Sequence, residues 1–311
     1  MLLSACSQDE SETAELEGKG RDVPTFQADT AYHFIEQQLA FGPRNPNSDG
    51  HQAMKSWLKQ TLESYAGQGM VYEQQFQGEG YFGDQLELSN FVAAFNPRSS
   101  DRIMLCAHWD SRPRADMDST RQDKPIPGAD DGASGVGVLL ELARIFKENP
   151  PPVGVDLIFF DGEDYGKSGS TEKYFLGSKY WVQNPPVPGY SPRFGILLDM
   201  VGAKDATFLK EQISLKYGRQ RVHQVWDLAQ ELGYEQYFIN EIGAAISDDH
   251  LVINQAADYP VIDIINHRGM SGNQVNFGSH WHTHGDDIDV IDPQTLNAVG
   301  SALTELIYNR L

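Results

Sequence analysis

The chain has 311 residues, of which 40% are hydrophobic, enough to bury a sizeable core in one large α/β domain or two small ones. A formal net charge of −20 argues against a nucleic-acid groove, which needs clustered Lys and Arg, and against electrostatic docking on anionic lipid. No apolar stretch of about 20 residues reads as a membrane span, and two cysteines make no disulfide framework.

The first feature in chain order is Leu3-Ser4-Ala5-Cys6, which resembles a bacterial lipobox, where a lipoprotein leader is cut and the new N-terminal Cys acylated. A leader needs a basic stretch and a longer apolar one. Only Met1-Leu2 precede the frame, so it implies that most of a leader is missing. A chance Leu-x-Ala-Cys is the alternative. Ser7 to Asp22 is polar and mostly acidic and reads as a disordered tether. The frame predicts a periplasm-facing protein held to membrane only by a lipid on Cys6. Ser7, in place of Asp after the Cys, is compatible with outer-membrane sorting.

Helical spacing runs from Thr30 to Ala40 and from His51 to Tyr65, with Gly42-Pro43-Arg44-Asn45-Pro46 breaking the two. Val71 to Gln77 and Leu88 to Phe95 read as strands, and so does Arg102 to Ala107, where Cys106 is expected as a buried core thiol. A helix is expected over Ser134 to Phe146, then a nearly all-apolar strand over Val155 to Phe160, as buried parallel strands are. Lys173 to Val182 reads as helix, Pro185 to Pro192 as a proline-rich loop and Phe194 to Leu198 as strand. Arg219 to Leu232 is an amphipathic helix, Pro260 to Ile265 a strand, and Gln294 to Tyr308 a closing helix. Strands alternating with helices predict a three-layer α/β/α class with a mostly parallel mixed sheet.

Metal-ligand types collect at the ends of these strands. They are His108-Trp109-Asp110, Gly128-Ala129-Asp130-Asp131-Gly132, Asp161-Gly162-Glu163-Asp164, Leu198-Asp199-Met200 and, further on, Trp281-His282-Thr283. Strand ends of an open α/β sheet are where ligands gather. Zinc takes Asp, Glu and His, and a catalytic site supplies three protein ligands and one open position. Any one of these residues alone reads equally well as a surface or core group; five together point to a hydrolase-type metalloenzyme.

These segments, with Ala107 to Pro113, Phe159 to Asp164, Leu198 to Ala203, Asp248-Asp249-His250 and His280 to His284, resemble the glutaminyl cyclases of the zinc-aminopeptidase-like superfamily, specifically the bacterial periplasmic type. The resemblance runs from about Phe26 to Leu311. It implies a zinc-aminopeptidase-like fold, a single catalytic domain over residues 26–311 behind the leader remnant and tether of residues 1–25, and one Zn2+ per chain. Asp131, Asp164 and His282 would be the ligands, with Asp130 supporting and the Asp131–Gly132 peptide bond cis. Glu163 would be the general acid/base, and Asp199 and Asp248 would join it in a carboxyl network that shares a proton. Trp281 would wall the pocket for the substrate side chain. His108, Asp110, Asp249 and His250 would support the network, while Trp181 is read as packing. The substrates implied are peptides and proteins with an N-terminal Gln, cyclised to pyroglutamate with release of ammonia.

The rival reading is a di-zinc aminopeptidase of the same superfamily, which would use His108 and Asp199 for a second ion. Such peptidases usually carry Ser-Asp-His where this chain has Asp248-Asp249-His250, and rarely have Trp before the last His. A catalytically dead binding domain of this fold would lose ligands, and this chain loses none. Asp164 replaces a more usual Glu ligand, and Asp263 stands where the animal cyclases have a His.

Overall fold

Seventeen helices and strands, not counting short helical turns, follow one another in the computed structural model, which describes residues 22–311 apart from 168 and 273. The lipobox frame and most of the tether lie outside the described residues. Helices α1 (Ala28–Leu39) and α2 (Asp49–Ala66) precede strands β1 (Val71–Glu79), β2 (Gln85–Phe95) and β3 (Arg102–His108). Ser48 caps α2, its hydroxyl accepting the His51 N–H at 3.1 Å. Then come α3 (Ala133–Glu148), β4 (Gly154–Phe160), α4 (Leu176–Gln183), β5 (Gly195–Asp199), β6 (Phe208–Lys210), α5 (Gln212–Glu231) and β7 (Phe238–Ile242). The chain closes with α6 (Asp249–Ala256), β8 (Val261–Ile265), the short pair β9 (Met270–Ser271) and β10 (Gln274–Val275), and α7 (Pro293–Glu305). Asp292 caps α7 and Pro293 takes its first turn, where a missing N–H costs nothing.

The central sheet has the order β1-β2-β4-β3-β5-β8, with β4, β3, β5 and β8 parallel and β2 antiparallel to both its neighbours. The mixed, mostly parallel sheet expected from the alternation is therefore present. Side chains alternate strictly across it. Ile103, Leu105, Val155, Leu157, Ile196, Leu198, Ile262 and Ile264 join the core under α1, α2, α3 and α7. Met104, Cys106, Ile158, Phe160, Leu197 and Val261 face Trp181 of α4 and Ile253 of α6. Burial on both faces explains why these strands read as continuous apolar runs.

Differences from the sequence reading are local. Helix α5 begins at Gln212, seven residues early, because Glu211 accepts the N–H of Ile213 and Ser214 and starts a helix that Gly218 then kinks at φ −127°. Helix α4 starts late, since Phe175 sits at φ 59° and breaks the turn before it. No cis peptide bond is present among the described residues, so Asp131–Gly132 is trans, against expectation. The reversal there is made by Gly132 at φ 101°, a region glycine enters without steric cost.

Candidate active site

All four parallel strands point their C-terminal ends at one cavity of about 250 Å³. The turn after β4 carries Glu163 and Asp164, and the loop before α3 carries Asp131. Each is held by a carboxylate that accepts two consecutive backbone N–H groups. Asp110, just beyond β3, accepts from Glu163 at 3.0 Å and from Asp164 at 3.2 Å. Asp286 does the same for Asp130 at 2.7 Å and Asp131 at 3.2 Å. The neighbouring Asp130 accepts the Gly202 N–H and meets the His280 ring, tying the Asp131 loop to two further segments.

Asp131, Asp164 and His282, all buried, bring one donor atom each within 4.8 Å of the others. His282 Nε2 lies 3.7 Å from Asp131 Oδ2 and 3.5 Å from Asp164 Oδ1. Three donors at zinc-ligand distance from one ion lie about 3.4 Å apart, so this set fits zinc with little adjustment. Asp164 Oδ2 is buried and has no hydrogen-bond partner among the described residues, as an unused ligand atom would be. Behind His282, Asp116 Oδ1 sits 3.5 Å from Nδ1, the position from which a carboxylate orients a ligating imidazole. Asp131 also turns Oδ1 toward His108 Nε2 at 3.2 Å, and Asp199 Oδ1 is 3.3 Å from the same nitrogen. His108, Asp131 and Asp199 are thus a second compact donor set that shares Asp131 with the first.

Charge is unevenly distributed here. Burial pushes Glu163 well above the usual carboxylate range, and Asp164, Asp248 and Asp249 add to the rise against the pull of His108. Burial likewise takes Asp199 to about 6, despite its contact with His108, and Asp248 to about 7, with Asp199 contributing repulsion. Asp164 moves the other way. Burial would raise it, but Arg112, 2.5 Å away, and His282 hold it ionised, as a ligand must be. The cavity walls are largely apolar: Phe175, Met200, Ile246, Ile265, Phe277 and Trp281. Trp281 stacks on the His282 ring with centroids 3.6 Å apart.

The predicted ligands therefore converge, and Glu163, Asp199, Asp248 and Trp281 all line the cavity with them. His108 and Asp110 stand directly behind, with His108 Nδ1 3.4 Å from Asp110. Asp249 and His250 face away from the cavity, toward Ser178 at 2.5 Å and Glu211 at 3.2 Å. Trp181 packs against Phe160, as expected for a core residue. Sequence reasoning missed Arg112, Asp116, Glu211, His280 and Asp286. Arg112 and His280 fell inside quoted motifs, but nothing in the string says that their partners are 52 and 150 residues away.

The model of peptidase family M28 matches residues 90–307. A glutaminyl-peptide cyclotransferase of Boiga dendrophila is 26% identical over 301 residues, covering 86% of this chain and 77% of its own length. The crystal structure of Tannerella forsythia glutaminyl cyclase aligns with a TM-score of 0.87 and 47% identity over 92% of this chain and 99% of that one. A Zn-dependent exopeptidase from Parabacteroides distasonis aligns at 0.88 with 45% identity, over 93% and 100%. The matched span holds every donor described above, from His108 to His282, and the chain belongs to peptidase family M28.

Proposed function

We propose that this chain is a zinc-dependent glutaminyl-peptide cyclotransferase that converts the N-terminal Gln of peptides and proteins to pyroglutamate and releases ammonia. The observation that carries the reading is the convergence of three carboxyl groups, Glu163, Asp199 and Asp248, on one apolar-walled cavity beside the donors Asp131, Asp164 and His282. The cyclase names of similar proteins of both animal and bacterial origin support it.

In the reaction the α-amine nitrogen bonds to the side-chain amide carbon of the same residue, and the bond from that carbon to the amide nitrogen breaks. The nucleophile is tethered, so proximity is built into the substrate. Held by Asp131, Asp164 and His282, one zinc ion per chain would polarise the side-chain carbonyl as a Lewis acid. Glu163 takes the proton from the α-amine and delivers it to the departing nitrogen. A carboxyl raised by burial is suited to both transfers. Asp199 and Asp248, themselves raised, keep a proton within the network beside it. Trp281 and Phe277 hold the aliphatic part of the Gln side chain and exclude water.

A di-zinc aminopeptidase is the second reading, favoured by the shared donor Asp131 and the set His108, Asp131 and Asp199. Incubating purified protein with Gln-initiated and with Leu- or Ala-initiated peptides separates the two. Pyroglutamate and ammonia from the first group alone support the cyclase. Free N-terminal amino acids without pyroglutamate establish the peptidase. The lipid on Cys6 and the periplasmic, outer-membrane location belong to this proposal through the sequence frame alone, and mass spectrometry of the protein from its host tests them.

A further inference from the structure

The polar lining of the cavity is dominated by carboxyls, Asp131, Glu163, Asp164, Asp199 and Asp248. Such walls suit the donors of an N-terminal Gln, its α-amine and the departing amide nitrogen, while the side-chain carbonyl is directed to the metal. One polar group of that residue is left over. Its main-chain carbonyl can only accept, and an acceptor without a donor is costly between apolar walls. Among the described residues, the hydroxyls lining the cavity are those of Ser170, Thr171, Tyr174 and Ser247. Ser170, Thr171 and Ser247 are exposed, where water satisfies them, and Tyr174 is half-buried. Trp281 also carries an N–H, but its ring is committed to the face of His282.

Tyr174 is held firmly in place. Its ring lies against the Arg112 guanidinium, whose carbon is 5.5 Å from the ring centroid. Arg112 is itself fixed by Asp116 at 2.7 Å and Asp164 at 2.5 Å. The ring also packs on Gly166, where a Cβ would fall 1.8 Å from Tyr174 Cδ2, so any larger residue would displace it. Lys179 Nζ donates to the Tyr174 carbonyl at 2.7 Å and to the carbonyls of Thr171 and Glu172 at 2.9 and 3.0 Å, which sets the main chain of this wall. The N–H of the next residue, Phe175, donates to the Glu163 carbonyl at 2.8 Å, so Tyr174 is tied to the segment that carries the acid/base. Arg112 is the polar neighbour of the phenol, and a guanidinium only donates. The proton of the phenol is left for another acceptor.

We infer that the Tyr174 hydroxyl donates a hydrogen bond to the main-chain carbonyl oxygen of the substrate's N-terminal Gln, which makes Tyr174 a substrate-binding residue. The inference rests on the cyclase reading. The main-chain carbonyl takes no part in bond making or breaking. Its contact with Tyr174 is therefore the same in the ground state and the transition state, and it acts on KM and not on kcat.

The test compares Tyr174→Phe, which keeps the ring on Arg112, with wild type, with thermal melts and zinc content as controls. The probes are a Gln-Ala amide, the matching Gln-lactate ester and an alkene isostere. The ester keeps the carbonyl and lacks the N–H that follows it, and the alkene has CH=CH in place of the whole peptide group. Amide and ester are followed as substrates. The alkene is read as a competitor of the amide, so it need not turn over. Y174F is expected to raise KM about three- to tenfold for amide and ester, the span of one neutral hydrogen bond, with kcat within about twofold. The alkene should bind Y174F as well as it binds wild type. An unchanged KM for the amide in Y174F overturns the inference, and so does an equal loss with the alkene, which would trace the effect to the ring. A fall in kcat at constant KM, or an effect confined to the amide, overturns it as well. Should Y174F fail to fold, wild type alone decides: the alkene must bind at least about threefold more weakly than the amide, and equal affinity overturns the inference. A wild type that forms no pyroglutamate from the amide instead removes the cyclase reading itself.

Discussion

In the proposed reaction the chain neighbours Glu163 and Asp164 would have opposite demands, one for a mobile proton and the other for a permanent charge. Their surroundings separate them: burial among carboxyls lifts Glu163, while Arg112 holds Asp164 down. Glu163→Gln is therefore expected to keep its zinc and lose about 10²- to 10⁴-fold in activity. Asp131→Ala, Asp164→Ala and His282→Ala should lose most of the metal and all activity. Metal analysis of the four proteins checks this, and a metal-free E163Q would mean that base and ligand have been exchanged. At this scale Glu163, Asp164 and Asp199 were legible because they stand at or just past strand ends, whereas Asp131 sits in the loop before α3 and His282 in the segment beyond β10, where only the residue types gave a signal. The carboxylates that grip backbone N–H groups were not legible. Asp286 reaches across 156 residues to Asp130, and such a partner leaves no local pattern.

Elements long enough to show a period were readable; short ones were not. Helix α6 has only eight residues, and its cap, Asp248, was read as chemistry and not as a helix start. The pairs β6–β7 and β9–β10 have two to five residues per strand, too few to reveal alternation. The bend before α3 was recognised as glycine-rich, but its mechanism was misjudged as a cis bond. It turns on Gly132, where a Cβ would sit 2.3 Å from the Asp110 carbonyl oxygen. Gly132→Ala should cost at least about 1–3 kcal/mol of stability from the backbone alone. It should also weaken zinc binding, because Asp131 is adjacent. Denaturant unfolding and a zinc titration of G132A measure both, and an unchanged midpoint would remove the strain argument.

Across the whole molecule, α/β alternation and apolar strands made the class readable, since a sheet buried on both faces allows little else. What composition could not convey is where the negative charge goes. Several carboxyls are buried behind the site, and Asp249 is raised to about 8 by burial and by Asp248. In the unfolded chain Asp249 ionises near 3.8, so between about pH 4 and 8 the folded state binds the extra proton. Its contribution to stability is complete below pH 4 and is lost as pH rises through 8. Asp249→Asn, which can still accept from Ser178, should gain stability over wild type progressively across that window. Parallel unfolding curves at pH 4, 6 and 8 would show it, and a constant difference would contradict it. Glu211 has the opposite sign. Burial would raise it, but His250 and two backbone N–H groups hold it at about 2, so its contribution fades only as pH falls from about 4.5 toward 2.

The carboxylate grips of Asp110 and Asp286 connect protein atoms only, and so they act whether or not an ion is bound. The mould for the metal is cast by the main chain, and its width is fixed before loading. Ions of zinc's size and ligand taste, cobalt among them, meet the same three donors. Discrimination among them then passes from the protein to the supply around it. A cobalt-loaded form should accordingly assemble under gentle exchange and place a coloured, spectroscopically visible reporter at the floor of the cavity.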